Sequence, residues 1–131
     1  MYKVYAIQHK ATGRIYVGST KQKDISNRIM QHIWMLRRGE HPIELMQEDF
    51  NIYGENYDFF NLGEYNEYAD NTYVSRQKEY DYMEKLGTDN PAVGYNYNDR
   101  YFNKKKNQLD IKNEEPIPNE IRYCKQQQKQ I

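Results

Sequence analysis

Val4, Ala6, Ile15 and Val17 alternate with Tyr5, Ile7, Tyr16 and Gly18 on either side of Ala11-Thr12-Gly13. A period of two around a glycine-containing turn predicts a β-hairpin. The apolar spacing then becomes helical. Ile25, Ile29, Ile33 and Leu36 form a stripe behind Asp24, a capping residue, and the pattern stops at Gly39. Pro42 suits the first turn of a second helix, which carries Ile43, Leu45, Met46 and Phe50 and closes at Gly54. Residues 57–65, with Phe59, Phe60 and Leu62, predict a third strand. A third helix starts at Asn71 or Thr72 and runs through Val74, Tyr82, Met83 and Leu86 to Gly87, and residues 88–98 form a loop rich in Gly, Pro and Asn. Three strands flanked by helices make a small α+β domain with a three-stranded antiparallel sheet.

The texture changes near Tyr101. Lys104-Lys105-Lys106, Glu114-Glu115-Pro116 and Gln126-Gln127-Gln128 carry almost no apolar periodicity. The chain therefore divides into a folded domain over residues 1–100 and a basic, polar tail over 101–131, loosely ordered or docked on the domain. The 131 residues suffice for one modest core, in which many of the 14 tyrosines supply the apolar area that a mean hydropathy of -1.17 otherwise denies. No apolar run is long enough to span a bilayer, no signal-peptide pattern opens the chain, and Cys124 stands alone, which excludes an internal disulfide or a cysteine-rich zinc site. These features point to an intracellular protein, in cytoplasm or nucleus, with a viral, phage or mobile-element origin also compatible.

Charge changes the picture further. The net formal charge is zero, yet residues 1–41 hold eight Lys/Arg against two Asp/Glu, residues 42–99 three against thirteen, and residues 100–131 eight against four. Phosphate responds to the local field, so a basic face on a neutral protein suits nucleic acid; solvated surface charge is the plainer alternative. The hairpin supplies candidate chemistry. Pairing Tyr5 with Gly18 and Ile7 with Tyr16 puts Val4, Ala6, Ile15 and Val17 on the face that packs against helices. Tyr5 and Tyr16 then share the opposite face, with open space at Gly18. Arg28 and His32 stand one helical turn apart, outside the aliphatic stripe, and combine a phosphate fork with a proton carrier. Taken singly these are ordinary strand tyrosines and a surface pair, and His9 and His41 are equally plain.

Together, however, the order resembles a family. Lys3-Val4-Tyr5, ten intervening residues and Tyr16-Val17-Gly18 resemble the paired motif of the GIY-YIG nucleases, and the Arg28–His32 helix follows. Glu79 within Gln77-Lys78-Glu79-Tyr80 resembles the family's metal-binding glutamate, and Gly94-Tyr95-Asn96 its closing motif. Lys3 stands where the family has its first glycine, and Val4 and Val17 where it has isoleucines. The resemblance covers residues 2–98 and implies a metal-dependent endonuclease that hydrolyses DNA phosphodiesters. It implies Glu79 as ligand to Mg²⁺ or Mn²⁺, Arg28 as the group that neutralises the transition state, Tyr5 as the residue that positions or deprotonates water, His32 as proton acceptor or relay, and Tyr16 as a phosphate contact. His41, Asn96, Gly18 and Lys104, Lys105 and Lys106 are substrate-binding or supporting residues.

Two other classes fit less well. A nuclease-like module that holds nucleic acid without cutting it needs no site carboxylate, and a protein-docking module needs no ordered set of Arg, His and Glu. Only about 30 residues follow the domain, without a zinc motif or a helix-turn-helix. Sequence specificity is therefore low, or lies in loops, or comes from a protein partner, and the chain acts as a monomer or weak dimer.

Overall fold

The computed structural model describes residues 2–65 and 72–97, with only the backbone of 72–76, together with Ile117, Pro118 and Ile121. The order is β1 (Tyr2–His9), β2 (Ile15–Thr20), α1 (Ile25–Arg37), α2 (Glu44–Tyr53), β3 (Tyr57–Tyr65) and α3 (Thr72–Leu86). The strands form one antiparallel sheet in the order β2-β1-β3. The hairpin takes the expected register, with Tyr5 opposite Gly18 and Ile7 opposite Tyr16. On the β3 side the register steps from Val4 opposite Gly63 to Tyr5 opposite Asn61. The extra β3 residue makes a bulge beside Tyr5, a device that re-aims a side chain. Asp24 caps α1 by accepting from the Ser26 amide.

Helices cover both faces of the sheet. Val4, Ala6, Ile15, Val17 and Leu62 pack on Tyr80, Tyr82, Met83 and Leu86 of α3, and Ile121 is buried in the same cluster. Tyr5, Ile7 and Tyr57 pack on Ile29, Ile33 and Leu36 of α1 and Met46 of α2. The sequence places helices on the aliphatic face; the face that carries Tyr5 is covered as well. Ile7 with the body of Tyr5 offers α1 an apolar surface too. Each such aliphatic side chain contributes about 1.5–3 kcal/mol on burial.

The second helix also starts later than its sequence suggests. It begins at Glu44, with Ile43 as a cap residue that makes no side-chain hydrogen bond, and Pro42 lies before it. The Tyr97 hydroxyl meets part of that deficit by accepting from the Leu45 amide at 3.3 Å. At the other end Gly54, with φ 84°, provides the reversal out of the helix.

Strand β2 is an edge strand, and residues 93–96 shield it. The Ile15 amide donates to the Val93 carbonyl at 3.2 Å, and the Tyr95 amide donates to the Ile15 carbonyl at 2.9 Å. Approach this close requires glycine at 94, because a Cβ there would lie 2.5 Å from Thr88 Cα and 2.7 Å from the Ile15 oxygen. The segment is pinned by a buried carboxylate. Arg14 Nη1 donates to both oxygens of Asp49 at 2.9 Å, its Nε donates to the Pro91 carbonyl at 2.8 Å, and the Tyr95 hydroxyl donates to Asp49 at 2.6 Å. No helix among the described residues is long and apolar enough to cross a membrane. The domain boundary expected near residue 100 and the Asn71 start of α3 lie outside the described residues.

Asp49→Ala should lower the unfolding free energy by about 3 kcal/mol, because it strands Arg14 and Tyr95 without their acceptor. Arg37→Ala, which removes a solvent-exposed pair with Glu55, should leave the urea midpoint almost unchanged. Urea unfolding of both variants checks the contrast.

Candidate active site

Gly18 lets the site exist. A Cβ on it would fall 2.6 Å from the Tyr5 hydroxyl oxygen, 2.7 Å from Tyr5 Cζ and 2.8 Å from Tyr16 Cε2. The Tyr5 ring therefore lies in the space that a side chain at position 18 would fill. Its centroid is 6.2 Å from that of Tyr16, and the Tyr16 ring lies tilted against His32 with centroids 4.8 Å apart. The open space expected at Gly18 is filled by the Tyr5 ring, and the inner wall of the site is closed, since Tyr5 is 1% and His32 3% exposed. His32 follows Ile29 by three residues and precedes Leu36 by four, so it belongs to the buried face of α1 rather than beside it.

Behind Tyr5 runs a line of hydrogen bonds. The Tyr5 hydroxyl is 3.0 Å from His32 Nε2, His32 Nδ1 is 2.9 Å from His41 Nε2, and His41 Nδ1 accepts from the Ile43 amide at 3.1 Å. The two imidazoles are stacked at 5.2 Å. Gln47 holds the loop by accepting from the His41 amide at 3.1 Å while donating to the Leu36 carbonyl at 3.0 Å. Burial, reinforced by the Arg28 charge, lowers His32 to about 3 and His41 to about 4. Both rings are neutral across the physiological range.

Arg28 and Glu79 act on the same hydroxyl from different elements. Burial raises the Tyr5 pKa well above the ordinary phenol range, and the neighbouring Tyr16 adds to this. The Arg28 guanidinium, close enough to hydrogen-bond the hydroxyl, pulls it down, and the Glu79 carboxylate pushes it up. Desolvation is the larger effect, so the Arg28 charge alone does not bring this phenol below its ordinary range. Arg28 is half-buried on α1, and its Nη1 donates to Gln31 at 2.8 Å.

Glu79 comes from α3, on the other face of the sheet, and is 5% exposed. Ser19 donates to its Oε2 at 2.6 Å. Sequence reasoning missed Ser19; its only signal is a short hydroxyl in phase with Ile15 and Val17, on the α3 side of β2. Among the described residues no group of three or more His, Cys, Asp or Glu is placed to hold a metal ion. A lone buried carboxylate nevertheless fits Mg²⁺, which binds through one or two protein carboxylates and completes its shell with water and substrate oxygens.

Asn96 is structural in its contacts. Its Oδ1 accepts from the Val17 amide at 2.9 Å and its Nδ2 donates to the Val17 carbonyl at 3.0 Å, so its side chain takes the place of a strand beside β2, between Tyr16 and Gly18. Lys104, Lys105 and Lys106 lie outside the described residues. The basic N-terminal segment is partly neutralised by pairing: Lys3 with Glu64, Lys10 with Asp58, Arg14 with Asp49 and Arg37 with Glu55. His9 is buried on the far end of β1 against Tyr57 and the Gly54 carbonyl, away from the other two histidines.

The family model of the GIY-YIG catalytic domain matches residues 1–98. Among solved structures, a glutamate-to-alanine mutant of the catalytic domain of intron endonuclease I-TevI aligns with a TM-score of 0.64 at 25% identity, covering 76% of this chain and 96% of that one. A second structure, the catalytic domain of homing endonuclease I-TevI, gives 0.57 at 24% identity, covering 67% and 90%; that likeness is one of fold. A search of curated proteins finds no significant match.

All three histidines are buried, and all three are harder to protonate folded than unfolded. Below the ordinary pKa of 6.5 the unfolded chain therefore binds more protons. Stability should be full above pH 6.5 and fall on acidification towards about 4 and about 3, by up to about 1.4 kcal/mol per pH unit for each histidine. Urea midpoints measured from pH 7 to pH 5 should show this decline, with a shallower slope in His41→Gln.

Proposed function

This chain belongs to the GIY-YIG catalytic domain family, and from that premise we propose that it is a divalent-metal-dependent endonuclease that hydrolyses phosphodiester bonds in DNA. The observation that carries this reading is the placing of the Tyr5 hydroxyl, bonded to His32 at 3.0 Å, within the electrostatic reach of both Arg28 on α1 and Glu79, which Ser19 of the edge strand holds at 2.6 Å. Structural burial alone gives no reason to bring a guanidinium, a phenol and a carboxylate together at an edge strand. A phosphodiester needs all three chemistries.

Each residue has a distinct task. Arg28 swings its planar fork from Gln31 onto two phosphate oxygens and offsets the charge that builds as a fifth oxygen approaches phosphorus. Tyr16, half-buried at the mouth, donates its hydroxyl to the same phosphate. Tyr5 orients the attacking water along the line opposite the leaving oxygen and takes its proton. Glu79 would hold the divalent cation, and Ser19 fixes one carboxylate oxygen so that the group need not be ordered when the cation binds. A cation bound there supplies Lewis-acid relief of charge on the phosphate and leaving oxygens. Asn96 and Gly18 keep β2 in position and clear. Lys104, Lys105 and Lys106 add long-range attraction for the duplex.

The test is cleavage of supercoiled plasmid with Mg²⁺ or Mn²⁺ and with chelator. The parent chain should nick or linearise the plasmid only with metal. Glu79→Gln should fall below detection while still binding DNA, and equal cutting in chelator or by Glu79→Gln would refute the reading. Arg28→Lys keeps the charge but loses the fork, and should reduce the rate by roughly 100-fold or more.

Removal of the three tail lysines should instead weaken duplex binding in low salt and flatten the log–log salt dependence by about 0.9 for each phosphate no longer neutralised. Turnover of bound DNA should barely change. Fluorescence anisotropy across a salt series reads the first effect, and single-turnover cleavage the second.

A further inference from the structure

The hydrogen-bond line behind Tyr5 has a direction, set at its far end. A backbone amide can only donate. The Ile43 amide donates to His41 Nδ1 at 3.1 Å, so that nitrogen carries a lone pair and no proton. A neutral imidazole has one N–H, which at His41 must therefore sit on Nε2. His41 Nε2 faces His32 Nδ1 at 2.9 Å, so His32 Nδ1 is the acceptor and the single His32 proton sits on Nε2. That nitrogen faces the Tyr5 hydroxyl oxygen at 3.0 Å.

We infer that His41 is a positioning residue that locks His32 as a hydrogen-bond donor to Tyr5, so that His32 stabilises the Tyr5 phenolate and does not accept its proton. The inference rests on the nuclease reading for its purpose, though not for its geometry. The neutral state that this requires is the one that burial and the Arg28 charge enforce on both rings. A doubly protonated His32 is also excluded by the contacts, because its Nδ1–H would oppose the His41 Nε2–H. The stack cannot conduct the proton outwards either, since His41 Nε2, which would have to receive it, already carries a proton, and His41 Nδ1 faces the Ile43 amide, which cannot accept one.

The consequence for catalysis is specific. Tyr5 accepts from His32 and keeps its own O–H out of that bond, so its proton leaves to a hydroxide admitted to the site and water is formed. The resulting phenolate retains the His32 N–H and the Arg28 guanidinium as donors. It then takes a proton from the attacking water, and the neutral phenol is restored as the new P–O bond forms. This reverses the role expected of His32 from the sequence.

Long-range ¹⁵N–¹H correlation spectra of the labelled chain at neutral pH test the lock without any assay of activity. His32 and His41 should both show a protonated Nε2 and a bare Nδ1. A protonated Nδ1 on either ring would overturn the inference. The kinetic test uses two replacements of similar size. His41→Gln can present an amide N–H to His32 Nδ1 and should keep cleavage within roughly tenfold of the parent. His41→Glu presents only acceptors, turns the His32 proton round onto Nδ1 and leaves a lone pair facing Tyr5. It should lose 100-fold or more, on the order of what one acid–base group supplies. Circular dichroism and thermal melts confirm that both variants fold. If His41→Glu cuts as fast as His41→Gln or faster, His32 is the base that takes the Tyr5 proton and the inference fails. Absence of cleavage by the parent chain would refute the nuclease reading instead, and the spectra would then decide the lock alone.

Discussion

Everything at this site depends on the missing side chain of Gly18. Tyr5 and Glu79 belong to opposite faces of the sheet, one packed with α1 and the other with α3. They come within reach of one another beside β2, the edge strand that carries Gly18 and Ser19. An added Cβ at position 18 would fall within 2.6–2.8 Å of both Tyr5 and Tyr16, so any other residue would displace both rings. The edge position of β2 is equally necessary. It leaves the backbone of residue 17 without a strand neighbour, and the Asn96 amide supplies both missing hydrogen bonds.

Burial then decides the chemistry of the groups that Gly18 admits. Tyr5 is enclosed, so its hydroxyl resists ionisation, and the molecule places a cation and a donor histidine against it. The histidines are enclosed too, and their proton positions are fixed from a backbone amide inwards rather than by pH. The same low dielectric that disfavours charge strengthens each directed hydrogen bond. A solvated tyrosine next to a solvated histidine would have neither property.

Much of this was legible in the sequence wherever it followed from local alternation. The register of the hairpin came from Val4, Ala6, Ile15 and Val17, because a slip of one residue would expose all four. The span of β3 and the cap at Asp24 were also local. The faces were not. Nothing in the period of two says that Ile7 and Tyr5 will receive a helix of their own, and His32 has an amphipathic ring that suits either side of α1 until Tyr5 and His41 are found beside it. The Arg14–Asp49 clamp joins residues 35 apart, Ser19 meets Glu79 across 60, and Asn96 pairs with Val17 across 79. Such contacts are products of the fold and leave no periodic trace. The family resemblance supplied Glu79 where periodicity alone had only an acidic helix.

The claim that a cation on Glu79 and the hydroxyl of Tyr5 share one reaction centre can be read directly from anomalous scattering by Mn²⁺ in crystals of the chain, at a concentration that supports plasmid cleavage. The account predicts one dominant peak at coordination distance, roughly 2.1 Å, from the Glu79 carboxylate, on the side facing Tyr5 and Arg28, and its loss in Glu79→Gln. A dominant peak on another carboxylate, or a peak near Tyr5 that survives Glu79→Gln, would contradict it.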